Sequence, residues 1–482
     1  MRSFFCLVTT FTCFLSFSSY QSHAQESGVW SLQQAVAYAQ LHNISIQQNE
    51  LNERLAKLTL KQSQLSQLPA INANTAYGRS YGRSVDPTTN QFVKGSYDFV
   101  SATGTADILL FGWFQKRNNI AANKFSLEAA KADLDQLKDD ISLNVATGYL
   151  RALLAKEQIR VNEKQVDLSE AQLLQTRQFV AAGRLPELNA AQLESQLASD
   201  SANLITAIAN YTSSILDIKA LLNLDFETPF EVEAPQVDVS EEMQLSALTP
   251  QAIYEEAAKH FGAIKGSEFR IQAAQKRLAA TKGALYPQIA LNAQFGTSYA
   301  TTYTEVTGIT PGAVEQTPAY VPIGDSLLPV YQPTFTYNTR QIPLGRQLDN
   351  NFRQTVSIGM NIPLFNGWQQ QYNVRQSKIN LQSQELDKYQ AQLKLKQDVY
   401  KAYSDAFSAI QKYYAAQRAQ DAAQRAYDFA EKRYSLGLTN TVEYLTTQNT
   451  QFVAESNLLS AKYDLIFKLK VIDYYLGKEL KL

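Results

Sequence analysis

The chain has 482 residues, 45% of them hydrophobic and 18% charged, which is typical of an ordered protein and excludes a largely disordered one. The formal net charge of −1 gives no basic field, so nucleic acid is not an expected partner. The sequence has no zinc-ligand spacing, phosphate-binding glycine loop or nucleophile elbow, so we expect no enzymatic activity, metal or cofactor.

Residues 1–24 have the pattern of a secretory signal peptide. Arg2 precedes the apolar run Phe4–Phe17, and small residues lead to a cleavage site after Ala24. The alternative is an uncleaved membrane anchor, although the run is short for a bilayer span. Both cysteines lie in this segment, so the mature chain is expected to contain neither disulfides nor thiolate chemistry.

The first half of the mature chain combines helices with two strands. A helix is predicted over Ser31–Leu68. The segment "VSATGTADILL" alternates apolar and polar residues, which predicts a strand with one apolar face over Val100–Leu110. Ile71–Tyr81 alternates more weakly and would pair with it as a hairpin.

A very long helix is predicted from Trp113 to Ala182, a proline-free stretch of about 105 Å. Its apolar residues recur every seven positions, as in coiled coils, at Ile120, Leu127, Leu134 and Ile141. Gly183 has the position of a helix C-cap, and a shorter helix is predicted over Glu187–Leu222.

An acidic segment follows, "DFETPFEVEAPQVDVSEE" (Asp225–Glu242), with seven acids and no base. We expect a solvated linker over residues 225–249. An acidic strip that docks a partner is the alternative.

The second half repeats the order of the first. Helices are predicted over Ala252–Tyr286, Trp368–Leu436 and Thr441–Leu476, with strands around "IALNAQFGTSY" and "VSIGMNI". Between these strands lies an insertion of about residues 300–352 with six prolines, which is expected to be a loop.

Three phrases recur in the same order in both halves. They are "ILLFGW" and "PLFNGW", "LPAINANTAYG" and "YPQIALNAQFG", and "FVAAGRLPEL" and "YSLGLTNTVEYL". We predict an internal two-fold repeat with halves over residues 25–224 and 250–482.

The four strands indicate a mixed α/β membrane protein. About ten alternating residues match the length of a tilted membrane strand, although a soluble sheet is the alternative. A membrane sheet must close, and four strands cannot form a barrel. Three chains would supply twelve strands, enough for a duct, and would gather the long helices into a tube below it.

Several of these motifs resemble those of the TolC family of outer-membrane efflux proteins. "WSLQQAVAYAQLHN" (Trp30–Asn43) resembles the family's first helix, and "RYSLGLTNTVEYLTTQN" (Arg433–Asn449) resembles its periplasmic helix turn. "LLFGW" and "PLFNGW" resemble its strand-to-helix junctions. The resemblance covers nearly the whole mature chain.

The resemblance implies a passive homotrimeric duct in the outer membrane, with its helical tube in the periplasm. Such a duct would export small molecules or proteins. Its expected partners are outer-membrane lipid, a periplasmic adaptor protein and an inner-membrane transporter, such as a resistance-nodulation-division pump or an ABC exporter, which would supply the energy. The insertion would then be an extracellular loop.

The resemblance also implies functional sites. Adaptor docking would fall on the two helix turns, at Gly183, Arg184, Leu185, Pro186, Gly437, Leu438 and Thr439. Glu443 would line the periplasmic entrance as part of the gate, although Thr446 replaces a second acid and Thr439 replaces an arginine found in some relatives. The membrane-interface junctions would comprise Phe111, Gly112, Trp113, Phe365, Gly367 and Trp368. Gly112 and Gly367 are expected to provide the turn from strand to helix.

A periplasmic coiled-coil adaptor or scaffold without a channel is the rival interpretation. It would account for the long helices. It would not account for the four alternating strands.

Overall fold

The computed structural model describes residues 28–85, 92–233 and 248–478. The predicted signal peptide, residues 1–24, lies outside these ranges. The helices are α1 (Leu32–His42), α2 (Ile44–Leu65), α3 (Gln115–Ala181), α4 (Glu187–Leu222), α5 (Pro250–His260), α6 (Gly262–Gly283), α7 (Leu344–Asn350), α8 (Gln369–Ser435) and α9 (Thr441–Tyr475). The strands are β1 (Val29–Trp30), β2 (Ala70–Val85), β3 (Phe92–Phe111), β4 (Glu231–Val232), β5 (Gln288–Ala300), β6 (Thr304–Ile323), β7 (Ser326–Gln341) and β8 (Arg353–Asn361).

The chain divides into two compact units. The first, the helical unit, contains the described residues 28–50, 134–233, 248–262 and 392–478. Its core is formed by buried side chains of α1, α3, α4 and α9, including Leu32, Tyr149, Leu153, Leu222 and Ile466. Leucine, isoleucine and alanine at helical spacing form this core because close packing removes their apolar surface from water.

The start of the acidic linker packs onto the helical unit. Phe230 and Val232 are buried in its core, and β4 pairs in parallel with β1. The Tyr149 hydroxyl lies 2.8 Å from the carbonyl oxygen of Trp30 and 2.9 Å from that of Glu233. The acids at 225, 227, 231 and 233 are exposed. The expectation of a solvated segment therefore holds for these four carboxylates and was wrong for Phe230 and Val232.

Two helices that were predicted as continuous are broken at equivalent positions. Asn43 separates α1 from α2 with φ −63° and ψ 128°, and Phe261 separates α5 from α6 with φ −61° and ψ 120°. The Asn43 side chain donates to the carbonyl oxygen of Leu221 at 2.8 Å and accepts from the backbone of Ser45 at 2.9 Å. Hydrophobic periodicity continues across one extended residue, so the pattern did not predict the break.

The second unit, the sheet unit, contains the described residues 51–85, 92–133 and 263–391. Its four-stranded antiparallel sheet has the order β2-β3-β5-β8. The register aligns apolar residues in rows across the sheet, such as Ile108, Leu291 and Ile358. The opposite face carries polar rows, such as Asn72, Thr105, Gln294 and Thr355. The four predicted strands are confirmed, and the sheet has one apolar and one polar face.

Two expectations for the strands were wrong. β2 and β3 have 16 and 20 residues, longer than the predicted ten, because their pairing continues beyond the alternating segment. The insertion is not an irregular loop but the antiparallel hairpin β6–β7 followed by α7. The prolines within β6 and β7 had indicated a loop. However, a strand that is paired along just one of its two edges tolerates proline.

The long helices α3 and α8 have 67 residues each. Leu127, Leu134 and Ile141 of the predicted seven-residue repeat are buried. In the described parts of the chain, no helix is both long enough and apolar enough to traverse a membrane.

Candidate functional site

The two helix turns of the helical unit, Ala182–Pro186 and Leu436–Asn440, have the same backbone geometry. Gly183 and Gly437 adopt φ +69° and +74°. The amide of Arg184 donates to the carbonyl of Phe179, and that of Leu438 donates to the carbonyl of Arg433, each at 2.8 Å. These bonds close a Schellman motif, in which a left-handed residue ends the helix and satisfies its last carbonyls.

Both turns present side chains to solvent. Leu436 and Leu438 are exposed at 73% and 63%. In the other turn, the Arg184 guanidinium lies 4.7 Å from the centroid of the Phe179 ring, and Leu185 is half-buried. Exposed leucines at a chain reversal are available for contact with another protein.

Glu443 is held within its own turn. One carboxylate oxygen lies 3.5 Å from Arg433 Nη1, and the other accepts from the Thr439 hydroxyl at 2.5 Å. The backbone amide of Glu443 donates to the side chain of Asn440, which caps α9. A carboxylate in the first turn of a helix is also stabilised by the helix dipole. Thr439, at the position of the arginine of some relatives, thus orients the acid by a hydrogen bond.

A cluster of tyrosines lies behind the turns and was missed by sequence reasoning. Tyr444 of α9 is 2% exposed and stacks on Tyr434 of α8, with ring centroids 4.5 Å apart. Its hydroxyl lies 3.2 Å from that of Tyr427 and accepts a hydrogen bond from the Gln172 side chain of α3. We name Gln172, Tyr427, Tyr434 and Tyr444 the tip cluster. The sequence signal was the tyrosine pair that flanks the Gly437 turn.

The tip cluster joins the α3–α4 and α8–α9 pairs through buried polar groups. Burial raises the pKa of Tyr444 far above its usual value, and the hydrogen bond with Tyr427 raises it further. Burial likewise raises the pKa of Tyr427. Gln172 Oε1 and both side-chain polar atoms of the nearby buried Gln448 have no hydrogen-bond partner in the structure. Buried polar atoms without partners are costly, so this contact is less stable than an apolar one of equal area.

By contrast, α3 and α4 are held firmly to each other. Asp200 of α4 is buried and accepts hydrogen bonds from two residues of α3, Ser169 at 2.5 Å and Gln165 at 3.3 Å. Near the turn, Arg177 pairs with Glu194 at 2.5 Å. The α3–α4 pair therefore forms a fixed support for the tip cluster.

The strand-to-helix junctions contain left-handed backbone at their tryptophans, with φ 50° at Trp113 and 68° at Trp368. Gly367 adopts φ +62°, as expected, whereas in the first junction the second left-handed residue is Phe114 and not Gly112. At Gly112, a Cβ would lie 2.8 Å from Leu109 Cδ2, so a larger residue there would require the Leu109 side chain to shift.

Aromatic contacts support both junctions. The Trp113 indole donates to the carbonyl oxygen of Pro287 at 2.8 Å, and its ring lies 4.6 Å from Tyr286. Arg375 lies over the Trp368 ring at 5.0 Å, and Phe365 is 87% exposed. These amphipathic rings are of the kind that lies at membrane–water interfaces.

The sheet has two open edge strands, and two helices carry exposed apolar side chains. β2 and β8 form the sheet's edges, and no strand of the described residues pairs with their outer sides. α2, which precedes β2, exposes Leu51, Leu58 and Leu65, seven residues apart. α8, which follows β8, exposes residues at the same spacing, each 40–68% exposed, namely Tyr372, Ile379, Leu386, Leu393, Tyr400, Phe407 and Tyr414. Such stripes are the seams by which helices associate in coiled coils.

Comparison with protein families identifies this architecture. The model of the family described as "Outer membrane efflux protein" matches residues 36–224 and 253–477. No curated protein sequence matches the chain.

Solved structures with the same fold come from several bacteria. A membrane protein from Pseudomonas aeruginosa is 16% identical, with a TM-score of 0.74 over 93% of this chain and 91% of that one. The outer membrane protein VceC from Vibrio cholerae is 15% identical, with a TM-score of 0.72 over 93% and 96%. The CmeC outer membrane channel of Campylobacter jejuni is 14% identical, with a TM-score of 0.72 over 92% and 85%.

Proposed function

Since the chain belongs to the outer membrane efflux protein family, we propose that it forms a passive export duct. Three copies form one twelve-stranded barrel in the outer membrane, continuous with a coiled-coil tube of helices in the periplasm. We expect the duct to work without a catalytic group, metal or cofactor, since its energy would come from its partner in the inner membrane.

The observation that carries this proposal is the open four-stranded sheet, in which β2 and β8 are the two edge strands. The β2 edge strand follows α2 with its exposed leucines in the chain, and the β8 edge strand is followed by α8 with its exposed stripe. Surfaces of this kind fit head to tail and form a ring when the rotation closes. A ring of three chains has twelve strands, which leaves a lumen, and it removes every open edge from the lipid.

The two faces of the sheet support a membrane location. Rows such as Ile108–Leu291–Ile358 would face lipid, and rows such as Asn72–Thr105–Gln294–Thr355 would face a water-filled lumen. A periplasmic scaffold without a channel has no use for an exposed apolar sheet face.

The repeated order of elements supports an internal duplication. Residues 25–224 and 250–482 each contain a broken helix, two sheet strands, a 67-residue helix and a further helix of about three dozen residues. Residues 225–249 link the halves, and residues 1–24 are the signal peptide. The family model also matches in two segments.

The helix turns form the docking surface for a periplasmic adaptor, which connects the duct to an inner-membrane transporter such as a resistance-nodulation-division pump or an ABC exporter. The docking residues are Gly183, Arg184, Leu185, Pro186, Gly437, Leu438 and Thr439. Their support is the matched geometry of the two turns and the exposed leucines. Two equivalent turns per chain would give a trimer six similar docking positions.

Opening of the duct requires α8–α9 to move away from the fixed α3–α4 pair. The tip cluster is the contact that must separate, and its unpartnered buried amide groups lower the cost of separation. Glu443 lines the entrance, where its pairing with Arg433 and Thr439 sets the charge that a solute meets.

Docking is tested with Leu438→Asp, which adds a charge that an adaptor contact would have to desolvate. Leu174→Asp, at an exposed leucine on the body of α3, is the matched control. We expect both variants to reach the outer membrane as trimers and only Leu438→Asp to lose export.

Two results would contradict the proposed function. If a double variant with Leu438→Asp and Gly183→Asp exports at the wild-type level, the turns are not the docking surface. If the protein in mild detergent has the native mass of one or two chains, the proposal of a trimeric duct is wrong.

A further inference from the structure

The β6–β7 hairpin, which we name the ribbon, has two chemically different faces. Strand pairing places eight large apolar residues on one face, namely Val306, Ile309, Val314, Tyr320, Leu327, Tyr331, Phe335 and Tyr337. The opposite face carries Glu305, Thr310, Glu315, Gln332, Thr336, Asn338 and Arg340. Toward the hairpin tip, four apolar residues interrupt this polar face, namely Val321, Ile323, Leu328 and Val330. The ribbon is therefore an amphipathic two-stranded sheet.

The polar face satisfies its own hydrogen bonds. Asn338 donates to the Thr310 hydroxyl at 3.1 Å, and Arg340 pairs with Glu305 at 2.7 Å. Hydrogen bonding to Arg340 lowers the pKa of Glu305. This face is suited to water and needs no further partner.

The base of the ribbon is fixed to the sheet. Gln347 of α7 is 1% exposed; its side chain donates to the carbonyls of Ala300 and Ile342 and accepts from the amide of Ala300. Arg346 of α7 pairs with Glu305 at 2.6 Å. The ribbon is thus held in one direction, and a fixed element loses less entropy on binding than a flexible loop.

The apolar face is large enough for a stable protein contact. Its eight large residues are each 51–67% exposed. At roughly 200 Å² for each large side chain, about 900 Å² of this face remains in contact with water. A standard interface buries about 800 Å² on each partner. An isolated hairpin with such a face is only marginally stable in water, so a covered state is favoured.

Sequence and charge restrict what can cover this face. Pro311, Pro318, Pro322, Pro329 and Pro333 remove backbone donors from the two edges, which disfavours strand addition and leaves the face as the contact. Arg340 is the ribbon's one basic residue and is already paired, so the ribbon offers no free cation to anionic lipid headgroups. An uncharged apolar surface is the complementary partner, and another copy of the ribbon provides one.

We propose that the apolar faces of the ribbons from the chains of one assembly pack against each other on the extracellular side of the barrel. This proposal rests on the trimer of the proposed function. Chains joined at the barrel hold their ribbons at high effective concentration, so a contact of this size forms without a further binding partner. The ribbons then form a shared extracellular structure that narrows the exit of the duct.

Neighbouring residues of β7 provide a matched crosslinking test. Tyr331→Cys lies on the apolar face and Gln332→Cys on the polar face. Each full-length variant is treated in outer membranes with a short bis-maleimide. We expect chain-to-chain crosslinks for Tyr331→Cys and none for Gln332→Cys. Complete labelling of Tyr331→Cys by a membrane-impermeant maleimide without crosslinking, or its crosslinking to a different protein, overturns the proposal.

A second pair of variants tests the energetic consequence. Phe335→Glu buries a charge if ribbons pack, and Thr336→Glu places the same charge on the polar face. We expect the dissociation temperature of the trimer to fall for Phe335→Glu and to remain unchanged for Thr336→Glu. If the two variants form trimers of normal mass with equal dissociation temperatures, the ribbon contact is wrong but the trimer stands. If the unmodified protein has the native mass of one chain, the trimer itself is wrong.

Discussion

At the α8–α9 turn, the Glu443 carboxylate is shared between the Arg433 guanidinium at 3.5 Å and the Thr439 hydroxyl at 2.5 Å. Both charged side chains are about half exposed, so the ion pair is screened and contributes little to stability. Its effect on a passing ion is larger, because three copies of the turn would surround one axis of the proposed trimer. The negative charge of Glu443 and the positive charge of Arg433 would then shift the ion selectivity of the duct in opposite directions.

We therefore expect Glu443→Gln to reduce the preference of the duct for cations and Arg433→Gln to increase it, because the second change leaves the carboxylate without its cationic partner. Planar-bilayer measurements of ion selectivity check both signs. Arg184→Gln is the control, since that side chain lies on Phe179 in the other turn. Unchanged selectivity in both Glu443→Gln and Arg433→Gln would leave Glu443 as an ordinary surface acid.

Tyr444 allows a prediction for the tip cluster. Tyr444→Phe removes the acceptor of the buried Gln172 amide, a change that costs about 1–3 kcal/mol. We expect faster hydrogen exchange of the adjoining α3 and α9 amides in this variant. Tyr389→Phe, on an exposed tyrosine of α8, should leave exchange unchanged. Equal exchange in both variants would show that the hydroxyl does not hold the two helix pairs together.

The same cluster has a defined pH dependence. Burial raises the folded-state pKa of Tyr444 above the unfolded value, so its stabilising effect is complete below about pH 10 and is lost as the pH rises through the folded pKa. We expect hydrogen exchange at the tip cluster to be insensitive to this group near neutral pH and to accelerate only in strongly alkaline solution. Loss of protection near neutral pH would contradict the assignment.

Among the elements, sequence patterns predicted those with regular periodicity. Trp113–Ala182 and Trp368–Leu436 were predicted, and the observed helices are Gln115–Ala181 and Gln369–Ser435. The helix turns could be located because the residue that ends each helix adopts a left-handed backbone conformation, which favours glycine. The tip cluster could not, because its hydroxyl contacts join residues on three helices that are distant in sequence.

Other misses have equally specific causes. Apolar periodicity does not report a single extended residue such as Asn43, and prolines do not distinguish a loop from a two-stranded ribbon. The repeat in α3 and the stripe on α8 have the same seven-residue spacing, yet the first is buried within the chain and the second is exposed. The seven-residue spacing alone does not show whether a stripe packs against a helix of its own chain or of a neighbouring chain.

The helix break at Asn43 leads to a prediction at this scale. Asn43→Ala removes the cap of α2 and leaves the carbonyl of Leu221 without its donor, at a cost of about 2 kcal/mol. We expect a lower temperature of thermal unfolding, followed by circular dichroism in detergent. Gln48→Ala, on an exposed residue of the same helix, is the control. An unfolding temperature equal to that of the control would mean that Asn43 is merely tolerated at the break.

At the scale of the whole molecule, the resemblance to the TolC family is confirmed by the match to the outer membrane efflux protein family over both halves of the chain. The proposed head-to-tail trimer then has a definite register. Within one chain, β3 pairs with β5, and α3, which follows β3, contacts α6, which precedes β5. Arg270 of α6 pairs with Asp133 of α3, and Arg277 of α6 donates to the Ser126 hydroxyl of α3 at 3.5 Å. The β8–β2 seam between chains is the equivalent of this contact in the repeat, so the positions that match Ser126 and Arg277, which are Leu381 of α8 and Thr59 of α2, would meet across that seam.

This register pairs the two exposed stripes in antiparallel order. Leu65 of one chain would lie between Tyr372 and Ile379 of the next, Leu58 between Ile379 and Leu386, and Leu51 between Leu386 and Leu393, because both stripes advance by seven residues. Leu58→Cys combined with Ile379→Cys therefore places one thiol on each side of the seam. We expect oxidation of the double variant in outer membranes to give linked dimers and trimers, with the series ending at three chains. Each single variant should remain unlinked, because its identical thiols lie on different seams of the ring. A series that continues beyond three chains would replace the closed ring with an open filament, and the absence of linked chains at a native trimer mass would exclude this register.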